Sequence, residues 1–162
     1  MNWEPLADWF VSTKLHSLVV DNFWVFPMCE TLHFLGLIVL FGALIVVDFR
    51  VMGLARFINM KAAMAYIPVA LLGFAVNLIT GICFMSAEPT AYLGNFAFGW
   101  KMALILLAGV NALWFWFGEH KKLLQLADGE DAPFSAKLIA FTSIVLWVLV
   151  IIGGRMIPYV DQ

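Results

Sequence analysis

The chain has 162 residues, of which 64% are hydrophobic and only 12% are charged, whereas soluble domains are about 45 to 50% apolar and about 25% charged. This composition excludes an ordinary soluble domain and indicates one integral-membrane domain over residues 1–162. The formal net charge of -2, without a basic stripe, gives no reason to expect a nucleic-acid partner.

The segment over about residues 4–19, "EPLADWFVSTKLHSLV", mixes charged and apolar side chains. It is too short and too polar to cross a bilayer. The mixture predicts a short amphipathic helix that lies in the membrane interface.

Four apolar runs follow, and each is close to the roughly 20 residues that a transmembrane helix requires. They lie at about 24–48, 65–86, 97–119 and 136–158. Short connections between long apolar helices favour neighbours that run in opposite directions. The predicted fold class is therefore all-α, a four-transmembrane-helix up-down bundle preceded by the interfacial helix.

The basic residues of the loops predict the orientation of the chain. Two loops carry most of them, Arg50, Arg56 and Lys61 in the first and Lys121, Lys122 and Lys137 in the third. Short loops rich in Lys and Arg stay in the cytoplasm. We therefore expect a multi-pass protein of the bacterial inner membrane, with both termini on the periplasmic side.

Four ionisable residues lie at a similar depth in the outer half of these spans: Glu30, His33, Lys101 and Arg155. Ionisable side chains are costly in hydrocarbon, so they face the bundle interior, pair with one another and mark functional sites. Asn77 and Asn111 lie deeper, and we expect them to hydrogen-bond between helices.

Glu30 and His33 are three residues apart and share one helix face. A di-metal site needs two such motifs, whereas this chain contains a single one. In another interpretation, Glu30 orients His33 so that its other ring nitrogen binds haem iron. Lys101 and Arg155 then pair with the haem propionates. The remaining alternative is a structural ion-pair network without a cofactor.

Further candidate ligands lie near the same end of the spans. His16 either supplies a second haem ligand or belongs to the polar face of its helix. Met28 and Cys29 are soft ligands that, with His33, suit copper(I), although both residue types are also ordinary apolar core residues. Cys29 and Cys83 either form a bridge, bind metal or remain free thiols.

The segments "ETLHFLGLIVLFGALIVVDFRVMGL", "GFAVNLITGICF", "FGWKMALILLAGVNALWF" and "IIGGRMIPY" cover most of the chain after residue 23. Together they resemble a family of small four-helix bacterial inner-membrane proteins of unknown function. The residues that carry the resemblance are Glu30 with His33, Asp48 with Arg50, Thr80 with Gly81, Lys101 with Asn111, and Gly154 with Arg155. More distantly, the second and third spans are similar to the copper-resistance D membrane proteins and cytochrome b561-like bundles. That similarity implies haem or copper chemistry at the outer face.

Two functions follow as hypotheses. The first is a membrane redox protein that binds haem b, with copper as a further cofactor, and passes electrons to a periplasmic partner. The second is a homo-oligomeric proton or metal-ion transporter or channel that uses Glu30, His33 and Lys101. The aromatic run "NALWFWF" in the third span favours a homo-oligomer in the lipid bilayer under either hypothesis. Whether the protein is an enzyme stays open.

Overall fold

The computed structural model of the chain describes residues 3–127 and 130–160, which form helices and no strand. The all-α prediction is confirmed. In chain order the α-helices are α1 (Glu4–Val11), α2 (Lys14–Asp21), α3 (Val25–Met52), α4 (Met60–Met64), α5 (Ile67–Ala87), α6 (Pro89–Leu93), α7 (Phe96–Trp114), α8 (His120–Leu124) and α9 (Phe134–Met156). A π-helical segment, Phe115–Glu119, joins α7 to α8, and a 3₁₀ turn, Ile157–Tyr159, follows α9.

Four helical stretches are long and apolar enough to cross a membrane, and they match the four predicted spans. They are Val25–Met52, Met60–Ala87, Phe96–Leu124 and Phe134–Tyr159. The chain is therefore a multi-pass membrane protein. The first span runs four residues beyond its predicted end and stops at Gly53, whose φ of 84° supplies the left-handed cap that often ends a helix.

The N-terminal segment forms two helices, where the sequence predicted one over about 4–19. The break falls at Ser12 and Thr13. The Thr13 hydroxyl accepts a hydrogen bond from the amide of His16 and so caps a new helix, α2. α2 buries Val19 against a small apolar cluster with Val25 and Cys29, which attaches this segment to the top of the first span.

The four spans pack in the order α5, α3, α9, α7, with α3 and α9 at the centre. In the described part of the chain, α5 and α7 make almost no contact with each other. We call the end that carries α1, α2 and α6 the upper end, and the end that carries α4 and α8 the lower end. Alternating span directions place both ends of the described chain at the upper end.

α3 and α5 approach most closely where glycines face each other. A Cβ atom added at Gly73 would lie 2.6 Å from the backbone nitrogen of Leu40 and 2.7 Å from the carbonyl oxygen of Gly36. A Cβ atom added at Gly36 would lie 2.7 Å from Nδ2 of Asn77. Small residues allow such backbone contact in membranes, where dispersion forces and hydrogen bonds hold helices together.

The lower end contains the most completely buried apolar side chains. Val51, Leu123 and Ala136 are fully buried and belong to one cluster that joins all four spans. Asp48 and Glu119 are also buried at this end. The lower end is thus closed by apolar packing that also buries two carboxylates, while Glu30, His33, Lys101 and Arg155 belong to the upper half of the bundle.

Substitution of Gly73 by Ala should destabilise the protein by about 1 to 3 kcal/mol, because the methyl group forces two backbones apart. Gly81→Ala is the matched control on the same helix, since a Cβ atom there meets nothing within 4 Å. Thermal unfolding of both variants in detergent measures the difference. Equal stability of the two variants would contradict this account of the α3–α5 contact.

Candidate functional site

The candidate site is centred on His33, which α3 presents toward α5. Its Nδ1 atom lies 2.7 Å from the hydroxyl oxygen of Thr80. His33 is half-buried and Thr80 is only 3% exposed. The ring of Phe84 lies against the imidazole with a centroid distance of 5.1 Å. The contact between His33 and Thr80 therefore lies between the two spans, with the ring of Phe84 against it.

The hydrogen bonds of Thr80 determine which nitrogen of His33 carries the proton. The single Thr80 hydroxyl proton is directed to carbonyl oxygens of its own helix, that of Val76 at 2.8 Å and that of Asn77 at 3.2 Å. With that proton donated to α5, we assign the Thr80 oxygen as the acceptor of a hydrogen bond from His33. The neutral ring is therefore protonated at Nδ1, and its Nε2 lone pair is available to a metal or a proton.

Lys101 extends from α7 across the glycines of α9. A Cβ atom added at Gly154 would lie 3.3 Å from the Lys101 ammonium nitrogen, and one added at Gly153 would lie 3.5 Å from its Cβ atom. Lys101 is half-buried, and its charge acts electrostatically on His33. The absence of side chains at these two glycines leaves room for the Lys101 side chain.

Glu30 has a different position from the one the sequence suggested. In one interpretation of the sequence Glu30 orients His33, but Thr80 is the partner of the Nδ1 atom of the ring. The Glu30 side chain is exposed and lies near Tyr92 of α6. Burial raises the pKa of the Tyr92 phenol, and the charges of Glu88 and Glu30 raise it further. An i, i+3 pair shares a helix side, but the neighbouring helices decide which member is covered.

Arg155, also at the upper end, is exposed. One of its terminal nitrogens donates to the Tyr159 hydroxyl at 3.0 Å, and the guanidinium carbon lies 5.2 Å from the centroid of that ring. This contact joins residues one helical turn apart. It uses one nitrogen of the fork and leaves the others able to bind a carboxylate.

His16 of α2 contacts the same helix as His33. Its Nδ1 atom lies 2.7 Å from the carbonyl oxygen of Ser86. Because a carbonyl only accepts, Nδ1 donates and the neutral ring has its lone pair on Nε2. Ser86 follows Thr80 by six residues, about 9 Å along the helix axis. Both upper histidines are therefore tethered to α5 through Nδ1.

The predicted soft ligands separate onto two faces of α3. Cys29 is buried and lies close enough to Cys83 of α5 for the two thiols to interact; both are free. Cys29 precedes His33 by one helical turn on the face that meets α5. Met28 is 48% exposed on another face. The structure thus brings Cys29 and His33 to one helix contact and leaves Met28 outside it.

The deeper asparagines differ from each other. Asn111 of α7 donates to the Ile139 carbonyl of α9 at 3.2 Å, as expected for a hydrogen bond between helices. Asn77 donates to the Gly73 carbonyl of its own helix at 2.9 Å while contacting α3 at Gly36. Asn111 therefore forms a hydrogen bond between helices, and Asn77 packs at the closest contact between α3 and α5.

Among the described residues, no three side chains of the types His, Cys, Asp and Glu form a metal-binding group. The third histidine, His120, lies at the lower end and stacks on Trp116 with a centroid distance of 4.4 Å. Sequence reasoning missed Thr80 and Ser86 as histidine partners, and Tyr159 as the partner of Arg155. A polar residue at matching depth on the facing span was the available signal for Thr80.

Comparison with known proteins identifies no relative of this chain. No model of a protein family matches the chain, and neither a curated protein nor a solved structure is significantly similar to it.

Thr80→Val should release His33 from its fixed tautomer, because valine keeps the shape of threonine but accepts no hydrogen bond. ¹⁵N NMR of histidine-labelled protein in detergent should show the Nδ1-protonated ring in the parent protein and a mixture of tautomers in the variant. Thr31→Val is the control, since the exposed Thr31 hydroxyl bonds the Pro27 carbonyl of its own helix. An unchanged His33 spectrum in Thr80→Val would contradict the assignment.

Proposed function

We propose that this protein is a membrane redox protein that binds haem b at the upper end of the bundle through His33 and transfers electrons. The observation that carries the proposal is the hydrogen bond between His33 Nδ1 and Thr80. Histidines that ligate metals use their other ring N–H for such a bond, which fixes the ring and its tautomer.

Four side chains of the upper end are the donors that we propose for this cofactor. His33 would hold the haem iron through Nε2, and His16 is the candidate for a second nitrogen ligand. Lys101 is the proposed cation for one propionate, because it is held beside Gly154 and acts on His33. Arg155 keeps free donors for the other.

The apolar surroundings of His33 also suit a porphyrin. Phe84 lies against the imidazole, and Phe26 lies against Phe84 with a centroid distance of 5.5 Å. When bound, haem supplies a one-electron iron couple whose potential depends on axial ligand, hydrogen bonding and burial. In this chain Thr80 would increase electron donation by His33, and Lys101 would stabilise the added electron through its charge.

Copper remains part of the proposal only through Cys29 and Cys83, two free thiols that interact with each other. These residues lie on the facing surfaces of α3 and α5, and thiolate sulfur prefers copper(I). Met28, which the sequence predicted as a copper ligand, lies on an exposed face and is not part of this proposed copper site.

We also propose that the upper end faces the periplasm of a bacterial inner membrane and meets an electron-transfer partner there. The distribution of Lys and Arg among the loops supports this orientation. A homo-oligomer is proposed because α5 and α7 leave a gap between them and because Trp114, Trp116 and Phe117 are exposed on the third span.

The haem proposal predicts a Soret band in detergent-purified protein and a sharpened α band after dithionite reduction. His33→Ala should abolish both because it removes the axial ligand. His120→Ala is the matched control, since His120 stacks on Trp116 at the lower end. Protein produced with a haem precursor should be measured in both oxidation states.

A folded parent protein with no visible absorption would overturn the haem proposal, as would full haem retention in His33→Ala. His16→Ala distinguishes one ligand from two. If His16 is the second ligand, its loss converts a six-coordinate low-spin spectrum into a five-coordinate high-spin one.

The second candidate function is proton transfer across the upper half of the membrane. It is favoured by the ammonium group of Lys101, whose charge acts electrostatically on the His33 ring. Ionisable residues inside transmembrane bundles are common members of proton relays.

For the proton-transfer candidate, proteoliposomes loaded with a pH-sensitive dye should show proton flux under a pH gradient. His33→Gln and Lys101→Gln should each lower the flux at least about tenfold, because each removes a proton carrier. Lys61→Gln, on the exposed lower surface, should leave it unchanged. Flux equal to that of protein-free liposomes would eliminate this candidate.

A further inference from the structure

A second polar site lies at the lower end, far from His33. A pocket of about 200 Å³ opens beside the loop between α3 and α4. Arg50 and Arg56 line it, together with Phe57, Asn59 and Ala127. Two arginines in one pocket at the end of a membrane span give it a positive character.

Arg50 is unusual because it is buried while most of its donors are unused. The residue is 3% exposed and belongs to the last turn of α3. Its Nε atom donates to the Ile58 carbonyl at 2.5 Å. Within residues 3–127 and 130–160, the four N–H groups on its two terminal nitrogens have no protein partner.

Among the described residues, no carboxylate forms an ion pair with Arg50 to compensate its charge. The nearby carboxylate of Asp131 is shared by Arg56 at 2.8 Å and Lys137 at 3.3 Å. Buried charges in proteins are normally paired, because leaving water is costly for an ion.

The end of α3 accounts for only part of this arrangement. A cation in the last turn of a helix is favoured by the partial negative charge of the helix terminus. That attraction acts along the helix axis and supplies no hydrogen-bond acceptor for the two terminal nitrogens of Arg50. Arg50 lines the pocket instead, so its free donors are accessible to a ligand there.

We propose that this pocket binds a phosphate group, with Arg50 as its principal ligand and Arg56 as the second cation. The planar arginine fork matches the oxygens of phosphate and forms two parallel hydrogen bonds with them. The phosphate belongs either to the headgroup of an anionic phospholipid or to a soluble phosphate compound.

The neighbouring loop favours the lipid source. Phe57 and Leu54 are 89% and 63% exposed beside the pocket, just beyond the end of the first span. Apolar side chains at this level insert among lipid chains, and basic residues beside them bind headgroups. A headgroup phosphate would then occupy the pocket while Phe57 contacts the acyl region.

The test compares three probes on the protein purified in an uncharged detergent at constant ionic strength. Short-chain phosphatidylglycerol, short-chain phosphatidylcholine and inorganic phosphate are titrated while thermal unfolding is followed. We expect phosphatidylglycerol to raise the melting temperature in a saturable way. Arg50→Gln and Arg56→Gln should each weaken that binding about tenfold or more, as expected for a lost charge-assisted hydrogen bond.

Arg155→Gln is the matched control, because Arg155 is an exposed arginine at the opposite end. It should bind phosphatidylglycerol like the parent protein. Arg56 is an exposed residue, so Arg56→Gln keeps the proposal testable if Arg50→Gln fails to fold. Stabilisation by phosphatidylglycerol alone identifies a lipid headgroup, and equal stabilisation by inorganic phosphate identifies a free phosphate compound. No stabilisation by either, or equal binding by parent and Arg56→Gln, overturns the site.

Discussion

The close contact of α3 and α5 at Gly36 and Gly73 is the constraint on which the upper part of the structure depends. Because the two backbones touch there, the helices have one permitted register. That register places His33 opposite Thr80 one turn above the crossing, and the two thiols opposite each other one turn higher. In a membrane, apolar side chains gain little by leaving lipid, so close backbone contact has to determine the pairing that burial determines in soluble proteins.

The two ends of the bundle differ in which polar atoms remain able to bind a ligand. At the upper end, histidines donate to oxygens of α5, and Lys101 lies beside the glycines of α9, from where its charge acts on His33. This leaves ring nitrogens with free lone pairs, which are suited to a metal or a proton. At the lower end, Arg50 has N–H donors without a partner among the described residues, and these donors suit an anion. The upper end therefore offers nitrogen lone pairs that suit a metal ion or a proton. The lower end offers N–H donors that suit an anion.

The upper segment shows why a pattern of apolar residues is a limited guide to local structure. A single helix over about 4–19 agreed with the composition, yet Thr13 caps a new helix and divides the segment. The division allows α2 to lie against α5, where His16 reaches the Ser86 carbonyl. Short polar side chains compete for backbone amides, and such a local hydrogen bond outweighs a weak amphipathic pattern.

The sequence alone determined the class of the fold, the four spans and the depth of the ionisable residues, because apolar length and the cost of charge in lipid act locally. It also singled out His33 and Lys101, which the bundle brings together. Only the tertiary structure decided that Thr80 holds His33, that Glu30 is exposed near Tyr92, and that Arg50 keeps unused donors. Those outcomes depend on which helices meet and in what register, and residues distant in sequence set that register through contacts that no single segment encodes.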